Sequence, residues 1–218
     1  MKINDINKFK KIFLIVLMAL FINRCATSNY YTAKTLKPDE SAMNPGLDNL
    51  FLYDTDEGDH AFSFTPSLGY IHGLPWRFET GAKIYFPYAL EVMLRNQLTP
   101  RSFNSFDLSA NLHYGLRYFI GKDEIDVWDQ YLKYGMTISK EIAWIQPFLS
   151  YYRFIPLTRD RYFLDSDKDY YIDSNFSAGL AIFSDKDYLV IPEINYQLTN
   201  SDFSEGLLYF GIGLRVSM

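Results

Sequence analysis

A histidine, a serine and two carboxylates in this chain are spaced so that they could activate a hydroxyl group. His113 and Ser109 would lie on one face of an extended strand, because alternate residues of a strand share a face. Glu79 or Glu91, on other predicted strands, could orient the histidine. A base next to a serine is the arrangement used in nucleophilic catalysis. No adjacent motif supports that chemistry, so we expect His113 to be hydrogen-bonded in a polar network and the protein not to be an enzyme.

Other chemistry-bearing patterns are weak. One cysteine and three histidines cannot build a zinc site of the usual spacing. The acidic stretch 165–169 has carboxylates at alternate positions but lacks the glycine and the terminal glutamate of a calcium loop. The net charge of −5 leaves no basic surface for nucleic acid. We therefore expect no metal, no cofactor and no nucleic-acid partner.

The N-terminus has the pattern of an export signal. Lysines at positions 8, 10 and 11 precede a wholly apolar run, Ile12 to Ile22, which is too short to span a membrane. Residues 1–24 are therefore predicted to be a signal peptide. Residues 25–44 have little apolar periodicity and are predicted to be a tether, followed by one folded domain over residues 45–218.

Cys25 is the single cysteine and follows the apolar run directly. The stretch Phe-Ile-Asn-Arg-Cys that ends there resembles a bacterial lipobox, although Arg24 stands where a small residue is usual. The resemblance implies that Cys25 is the site of lipid attachment. The alternative is an unmodified thiol within a signal peptide.

From residue 62 onward, apolar side chains alternate with small or polar ones in segments of about ten residues, which is typical of a transmembrane β-barrel. One example is the apolar series Leu108, Ala110, Leu112, Tyr114, Leu116 and Tyr118. We predict an all-β, antiparallel up-and-down barrel of eight to ten strands, with ten favoured. The predicted strands are 46–53, 62–70, 76–86, 88–98, 106–120, 128–139, 143–155, 174–184, 188–199 and 206–218.

Alternation alone does not say which face is inside, so a soluble lipocalin-like carrier of an apolar ligand remains an alternative. The polar face is rich in glycine and serine, which weaken a solvent-exposed strand but fit a narrow lumen. We therefore expect the apolar face to meet lipid. The predicted lumen charges, which should pair with one another, are Arg77, Glu79, Lys83, Glu91, Arg95, Arg117, Lys133, Arg153, Glu193 and Arg215.

The final strand, Tyr209 to Met218, resembles the terminal strand by which the assembly machinery recognises outer-membrane proteins. With the export signal, the chain resembles the small outer-membrane β-barrel proteins of diderm bacteria. That resemblance implies an outer-membrane location, contact with outer-membrane lipid and assembly by the barrel machinery. We expect a monomer with a structural role, or with surface recognition through loops 54–60, 121–127 and 156–173. A lipid-modifying barrel enzyme that uses His113 is the second alternative.

Overall fold

The computed structural model describes residues 30–54, 60–61, 65–86, 89–102, 105–120, 126–157, 172–183, 187–199 and 202–218. Cys25 and the predicted signal peptide lie outside the described residues. Apart from one turn of 3₁₀ helix at Pro75–Arg77, the regular structure of the described residues is β-strand. The strands are β1 (Ser41–Asp54), β2 (His60–Ala61), β3 (Thr65–Gly73), β4 (Phe78–Tyr85), β5 (Ala89–Gln97), β6 (Asp107–Ile120), β7 (Asp126–Ser139), β8 (Ile145–Pro156), β9 (Ile172–Ile182), β10 (Tyr188–Thr199) and β11 (Asp202–Ser217).

The sheet closes on itself through an antiparallel pairing of β1 with β11. Each of the strands β3 to β10 pairs with the next along the chain, and β3 pairs with β1, whereas β2 is a two-residue extension paired with β1. The result is a closed up-and-down barrel of ten strands in the described part of the chain, which confirms the predicted fold. No described helix is long and apolar enough to cross a membrane.

The barrel has its polar face inside and its apolar face outside. Along β5, Leu90, Val92 and Leu94 are 41%, 45% and 43% exposed, whereas Glu91 and Met93 between them, and Arg95 after them, are buried. The same alternation holds on the other strands, as the pleat requires. We call the outward-facing apolar residues the apolar belt; its members include Leu47, Leu68, Ile84, Leu112, Met136, Ile138, Leu149, Leu180, Ile194, Phe210, Ile212 and Leu214.

The two rims of the barrel differ in what they carry. Connections after β3, β5, β7 and β9, together with the C-terminus, lie at one rim, which we call the turn end. Connections after β1, β4, β6, β8 and β10 lie at the other rim, the loop end. The predicted loops 54–60, 121–127 and 156–173 all join strands at the loop end, although most of their residues lie outside the described ones.

The first strand and the segment before it differ from the prediction. The barrel begins at Ser41, inside the stretch predicted to be a tether, and β1 is a full strand paired on both sides. Residues 30–36 lie within the lumen at the turn end, where Tyr30, Tyr31, Thr32 and Ala33 are almost completely buried. In the described part of the predicted tether, residues 30–36 are therefore lumen filling and residues 41–44 are barrel wall, and an exposed turn at residues 37–40 joins them.

Candidate functional site

The turn end of the lumen is occupied by residues 30–36, which we call the plug segment. Ala33 N donates to Ser139 Oγ at 3.0 Å, and Thr35 N donates to Gln97 Oε1 at 3.3 Å. Ser139 and Gln97 are the last residues of β7 and β5, so these contacts place the segment across the turn-end opening. A main-chain group buried in the lumen needs such a partner.

Charged side chains bind further main-chain groups of the plug segment. Tyr30 N donates to Glu193 Oε2 at 2.7 Å, and Leu36 N donates to Glu79 Oε2 at 2.9 Å. The Thr32 carbonyl oxygen accepts a hydrogen bond from Arg95. Hydrogen bonds to charged partners are stronger than neutral ones, so this set fixes the segment well. Two further bonds of this kind are Arg215 Nη2 to Tyr30 O at 3.5 Å and Arg101 Nη2 to Leu36 O at 2.7 Å.

Tyr30 inserts its ring into a window of two glycines on the closing strands. Gly46 of β1 and Gly213 of β11 are directly paired across the seam. A Cβ atom added to Gly46 or Gly213 would lie 2.6 or 2.5 Å from the ring of Tyr30, so only glycine fits at both positions. The Tyr30 hydroxyl donates to Leu47 O at 2.8 Å, beside the point where the β1–β11 register shifts. Tyr30 therefore contacts both strands that close the barrel.

Tyr31 occupies a small apolar cluster with Ala42, Ile71 and Met93 on the adjacent wall. The guanidinium carbon of Arg95 lies 4.8 Å from the centre of the Tyr31 ring, within the range of a cation–π contact. Burial, reinforced by the negative charge of Glu91, raises the pKa of the Tyr31 phenol above its ordinary value. The phenol therefore stays neutral, as its apolar surroundings require.

Arg95 and Glu79 form a buried ion pair at the level of the plug segment. Arg95 Nη1 donates to Glu79 Oε1 at 2.6 Å, and Arg95 Nε donates to Asn111 Oδ1 at 3.0 Å. Both side chains are fully buried. A buried charge is tolerated only with a partner and further hydrogen bonds, which is the arrangement found here.

Glu91 is the centre of a second network, on the loop-end side of the Arg95 pair. Its carboxylate lies 2.7 Å from His113 Nδ1 and 2.9 Å from Lys133 Nζ. The Tyr131 hydroxyl donates to Glu91 Oε2 at 2.9 Å. Ser109 Oγ instead donates to Asn111 Oδ1 at 3.3 Å. His113 thus lies in the polar network, with its Nδ1 on Glu91, while Ser109 has a different hydrogen-bond partner.

Four more of the predicted lumen charges lie inside the lumen. Lys83 is buried, 3.7 Å from Asp48 and 4.4 Å from the ring centre of Tyr30. Arg117 lies over the Tyr131 ring, with its guanidinium carbon 4.6 Å from the ring centre. Glu193 and Arg215 are buried against the plug segment.

Arg77 and Arg153 are corrections to the predicted lumen set. Arg77 belongs to the 3₁₀ turn at the turn end, not to a strand, and its Nη1 donates to Leu98 O at 3.2 Å. Arg153 is an exposed residue of β8 and lies on the outer face of the barrel, with Leu149 and Tyr151. Residues two positions apart in a strand share a face, and Arg153 is two positions after Tyr151. The alternation of β8 therefore places Arg153 outside.

Glycine and aromatic residues meet repeatedly on the lumen face. The Tyr131 ring covers Gly115, its direct partner on β6, and the Phe148 ring covers Gly179, its direct partner on β9. A side chain at either glycine would collide with that ring. Covering a strand glycine with a neighbouring ring compensates for the missing side chain. Gly115 and Gly179, like Gly46 and Gly213, therefore leave the space that lumen aromatic rings occupy.

The plug segment is the part of the lumen that the sequence did not predict. Its residues lack strand or helix periodicity, and its partners lie far away along the chain, 163 residues in the case of Tyr30 and Glu193. The available signal was the pair of adjacent tyrosines in an otherwise polar stretch, since large aromatic side chains usually find a buried surface. The described residues include no cluster of three side chains able to hold a metal ion.

No family model matches the chain, and no curated protein sequence matches it. Among solved structures, the chain is similar to the NanC porin, with 7% identity and a TM-score of 0.47 over 82% of this chain and 100% of the porin. The β domain of the Bordetella autotransporter BrkA has 8% identity and a TM-score of 0.45, over 84% of this chain and 100% of that domain. The Yersinia pestis outer-membrane protein Ail has 11% identity and a TM-score of 0.34, over 81% and 99%. The similarity is one of barrel architecture only.

Proposed function

We propose that this protein is a non-conducting outer-membrane β-barrel whose lumen is closed by its own plug segment. The observation that carries the proposal is the combination of an apolar belt outside with a polar lumen occupied by residues 30–36. An apolar outer surface on a closed barrel is suited to lipid, where each strand must satisfy its main-chain groups within the barrel. Water-filled porins instead leave the lumen open.

The barrel's activity, in this proposal, resides at the loop end. The wall and plug contacts leave the lumen charges Arg95, Glu91 and Glu193 engaged with other protein groups rather than displayed along a channel. The loops at the opposite rim from the plug segment are the remaining large polar elements, and loops carry function more often than the scaffold does. We propose a structural or surface-recognition role for loops 54–60, 121–127 and 156–173.

The expected partners fit this assignment. The apolar belt would contact outer-membrane lipid directly, and β11, which closes the barrel against β1, would present the terminal strand to the assembly machinery. Cys25 would add a lipid anchor at the N-terminus. We propose that the barrel acts as a monomer, since lipid covers its outer face and its seam is closed by its own strands.

Neither alternative is favoured by the contacts. A lipocalin-like carrier needs an apolar interior, whereas this interior holds Glu79, Lys83, Glu91 and Arg95. A serine hydrolase needs its histidine within hydrogen-bond reach of the serine, whereas Ser109 is engaged with Asn111. We propose that the protein is not an enzyme.

The location is tested with a Cys25→Ala variant that keeps its export signal. We expect it to remain in the outer-membrane fraction, to need detergent for extraction and to migrate faster unboiled than boiled on a denaturing gel. Wild type is the matched control. Release of the variant as a soluble periplasmic protein would overturn the membrane assignment.

The closed lumen is tested by conductance in planar lipid bilayers. We expect wild type to show no steady channel, because residues 30–36 cross the lumen at its turn end. A variant in which residues 30–36 are replaced by glycine and serine should conduct. Equal, large conductance of both proteins would show that the plug segment does not close the lumen.

The surface role is tested by the orientation of the barrel. An epitope inserted between residues 158 and 171, at the loop end, should be labelled on intact cells, whereas the same epitope after Arg101, at the turn end, should be labelled only after permeabilisation. The reverse pattern would place the loops in the periplasm and end the surface-recognition proposal.

A further inference from the structure

We propose that the turn end of the lumen is a binding site for a peptide segment, and that the plug segment is a ligand held there in cis. The inference deepens the proposed function, with which it shares only the occupied lumen. The inference rests on the kind of group that the barrel wall binds in the plug segment, which is chiefly the main chain.

The wall recognises the segment chiefly through its main chain. The carboxylates of Glu193 and Glu79, the hydroxyl of Ser139 and the amide oxygen of Gln97 all accept from main-chain N–H groups. Arg95 donates to a main-chain carbonyl in the same stretch. Every peptide carries these main-chain groups, so a segment of another chain in the same conformation would find the same partners. This is recognition of peptide backbone, as in strand addition, but by side chains of the wall.

Selectivity comes from the position of Tyr30. Its ring fills the window formed by Gly46 and Gly213, and its hydroxyl reaches Leu47 O at 2.8 Å. Lys83 Nζ lies 4.4 Å from the centre of the same ring. A flat aromatic ring with a hydroxyl at its far edge satisfies all of these contacts, so the site should prefer a tyrosine there.

By contrast, the side chain of Lys34 points out of the lumen at the turn end. It makes an exposed ion pair with Glu141, which contributes little in water. The ligand class is therefore a peptide with an aromatic residue where Tyr30 stands and a tolerant position where Lys34 stands.

Residues 37–40 connect the cis ligand to β1 by a short turn, in which Glu40 N donates to Lys37 O at 3.1 Å. A short connection gives the attached segment an effective concentration on the order of millimolar or more, so a free peptide competes poorly with it. The experiment must therefore weaken or detach the cis copy while keeping the barrel intact.

The first arm uses the full chain carrying Tyr30→Ala, in detergent micelles. The probe is a fluorescently labelled peptide with the sequence of residues 30–37, YYTAKTLK. We expect it to bind the variant at least tenfold more tightly than the control peptide AYTAKTLK, by fluorescence anisotropy. Wild type should bind neither at comparable concentration. Adding Gly213→Val to the variant should abolish the tenfold preference, because the window is then filled.

The second arm does not depend on the folding of a Tyr30 variant. A protease site inserted after Pro38 in otherwise wild-type protein allows the segment to be cut from the folded barrel. We expect the cut segment to co-purify with the barrel and to exchange for labelled YYTAKTLK. Immediate loss of the segment, with no uptake of the labelled peptide in either arm, would overturn the proposal. Wild-type conductance reports separately on the proposed function, since a barrel that binds the peptide and still conducts would refute only the closed lumen.

Discussion

The glycine window on the closing seam offers the sharpest test of how the plug segment is held. In Gly213→Ala, the new Cβ would stand 2.5 Å from Tyr30 Cγ and 2.9 Å from Tyr30 Cβ. Comfortable contact between carbon atoms is about 3.5–4.0 Å, so the ring must retreat by about 1 Å. The hydrogen bonds of its N–H to Glu193 and of its hydroxyl to Leu47 restrain both ends of the residue.

The expected cost lies between two limits. Forcing extra volume into a packed site costs about 1–3 kcal/mol. Complete expulsion of the ring sets the upper limit, because burial of about 150–200 Å² at about 25 cal/mol/Å² is worth roughly 4–5 kcal/mol. We therefore expect Gly213→Ala to lower the free energy of unfolding by about 2–3 kcal/mol, measured by urea titration in detergent micelles.

A double-mutant cycle isolates the contact with Tyr30. In a Tyr30→Ala background the added methyl group meets no ring, so Gly213→Ala should then cost about 0.5 kcal/mol or less, giving a coupling energy of about 2 kcal/mol. Gly69→Ala is the matched control: it is also a lumen glycine, but its nearest new contact is Asn44 Cβ at 3.3 Å. Additive effects of the two substitutions, or a Gly213→Ala cost equal to that of Gly69→Ala, would refute the window.

Three further substitutions, one of them with a matched control, test the lumen pairs and the belt. Glu79→Ala leaves buried Arg95 without its carboxylate and should lower the free energy of unfolding in urea by about 3–5 kcal/mol; a loss below 1 kcal/mol would contradict the pair. Leu112→Arg, in the belt, should cost about 2–4 kcal/mol on refolding into vesicles, whereas Leu157→Arg beyond the end of β8 should cost about 1 kcal/mol or less; equal costs would argue against lipid contact. His113→Gln should keep heat-modifiable mobility and cost only about 1–3 kcal/mol, since other donors still hold its carboxylate partner; loss of the barrel would assign the histidine a larger role.

The sequence predicts the barrel wall well because a strand repeats every two residues and each face meets one environment. The alternation of Leu90, Val92 and Leu94 with polar or buried residues identifies the outer face of β5, and the neighbouring strands are not needed for this assignment. The same logic, applied strictly, places Arg153 outside. It does not extend to Arg77, because a residue in a 3₁₀ turn follows no strand alternation.

Sequence periodicity does not predict the plug segment, because contacts with the lumen, and not a pattern in its own residues, set its conformation. A tether and a lumen ligand have the same polar composition, and only distant contacts separate them. Tyr30 meets residues of β1, β10 and β11, and no local rule connects those positions. The side chains that a sequence would assign to internal salt bridges, Glu193 and Arg215, are in contact with this segment.

The division of bonds on Glu79 bears on whether the plug segment can leave the lumen. Its Oε1 accepts from Arg95 and its Oε2 accepts from Leu36 N, so the ion pair and the plug contact use different oxygens. When the segment departs, the ion pair keeps its own bond, whereas Glu79 Oε2 loses Leu36 N and Arg95 loses the Thr32 carbonyl oxygen. Water entering the vacated lumen can replace such a bond, at a net cost of roughly 0.5–1.5 kcal/mol rather than that of an unpaired buried charge. We therefore expect the Arg95–Glu79 ion pair to persist when the segment is absent, as the proposed peptide exchange requires.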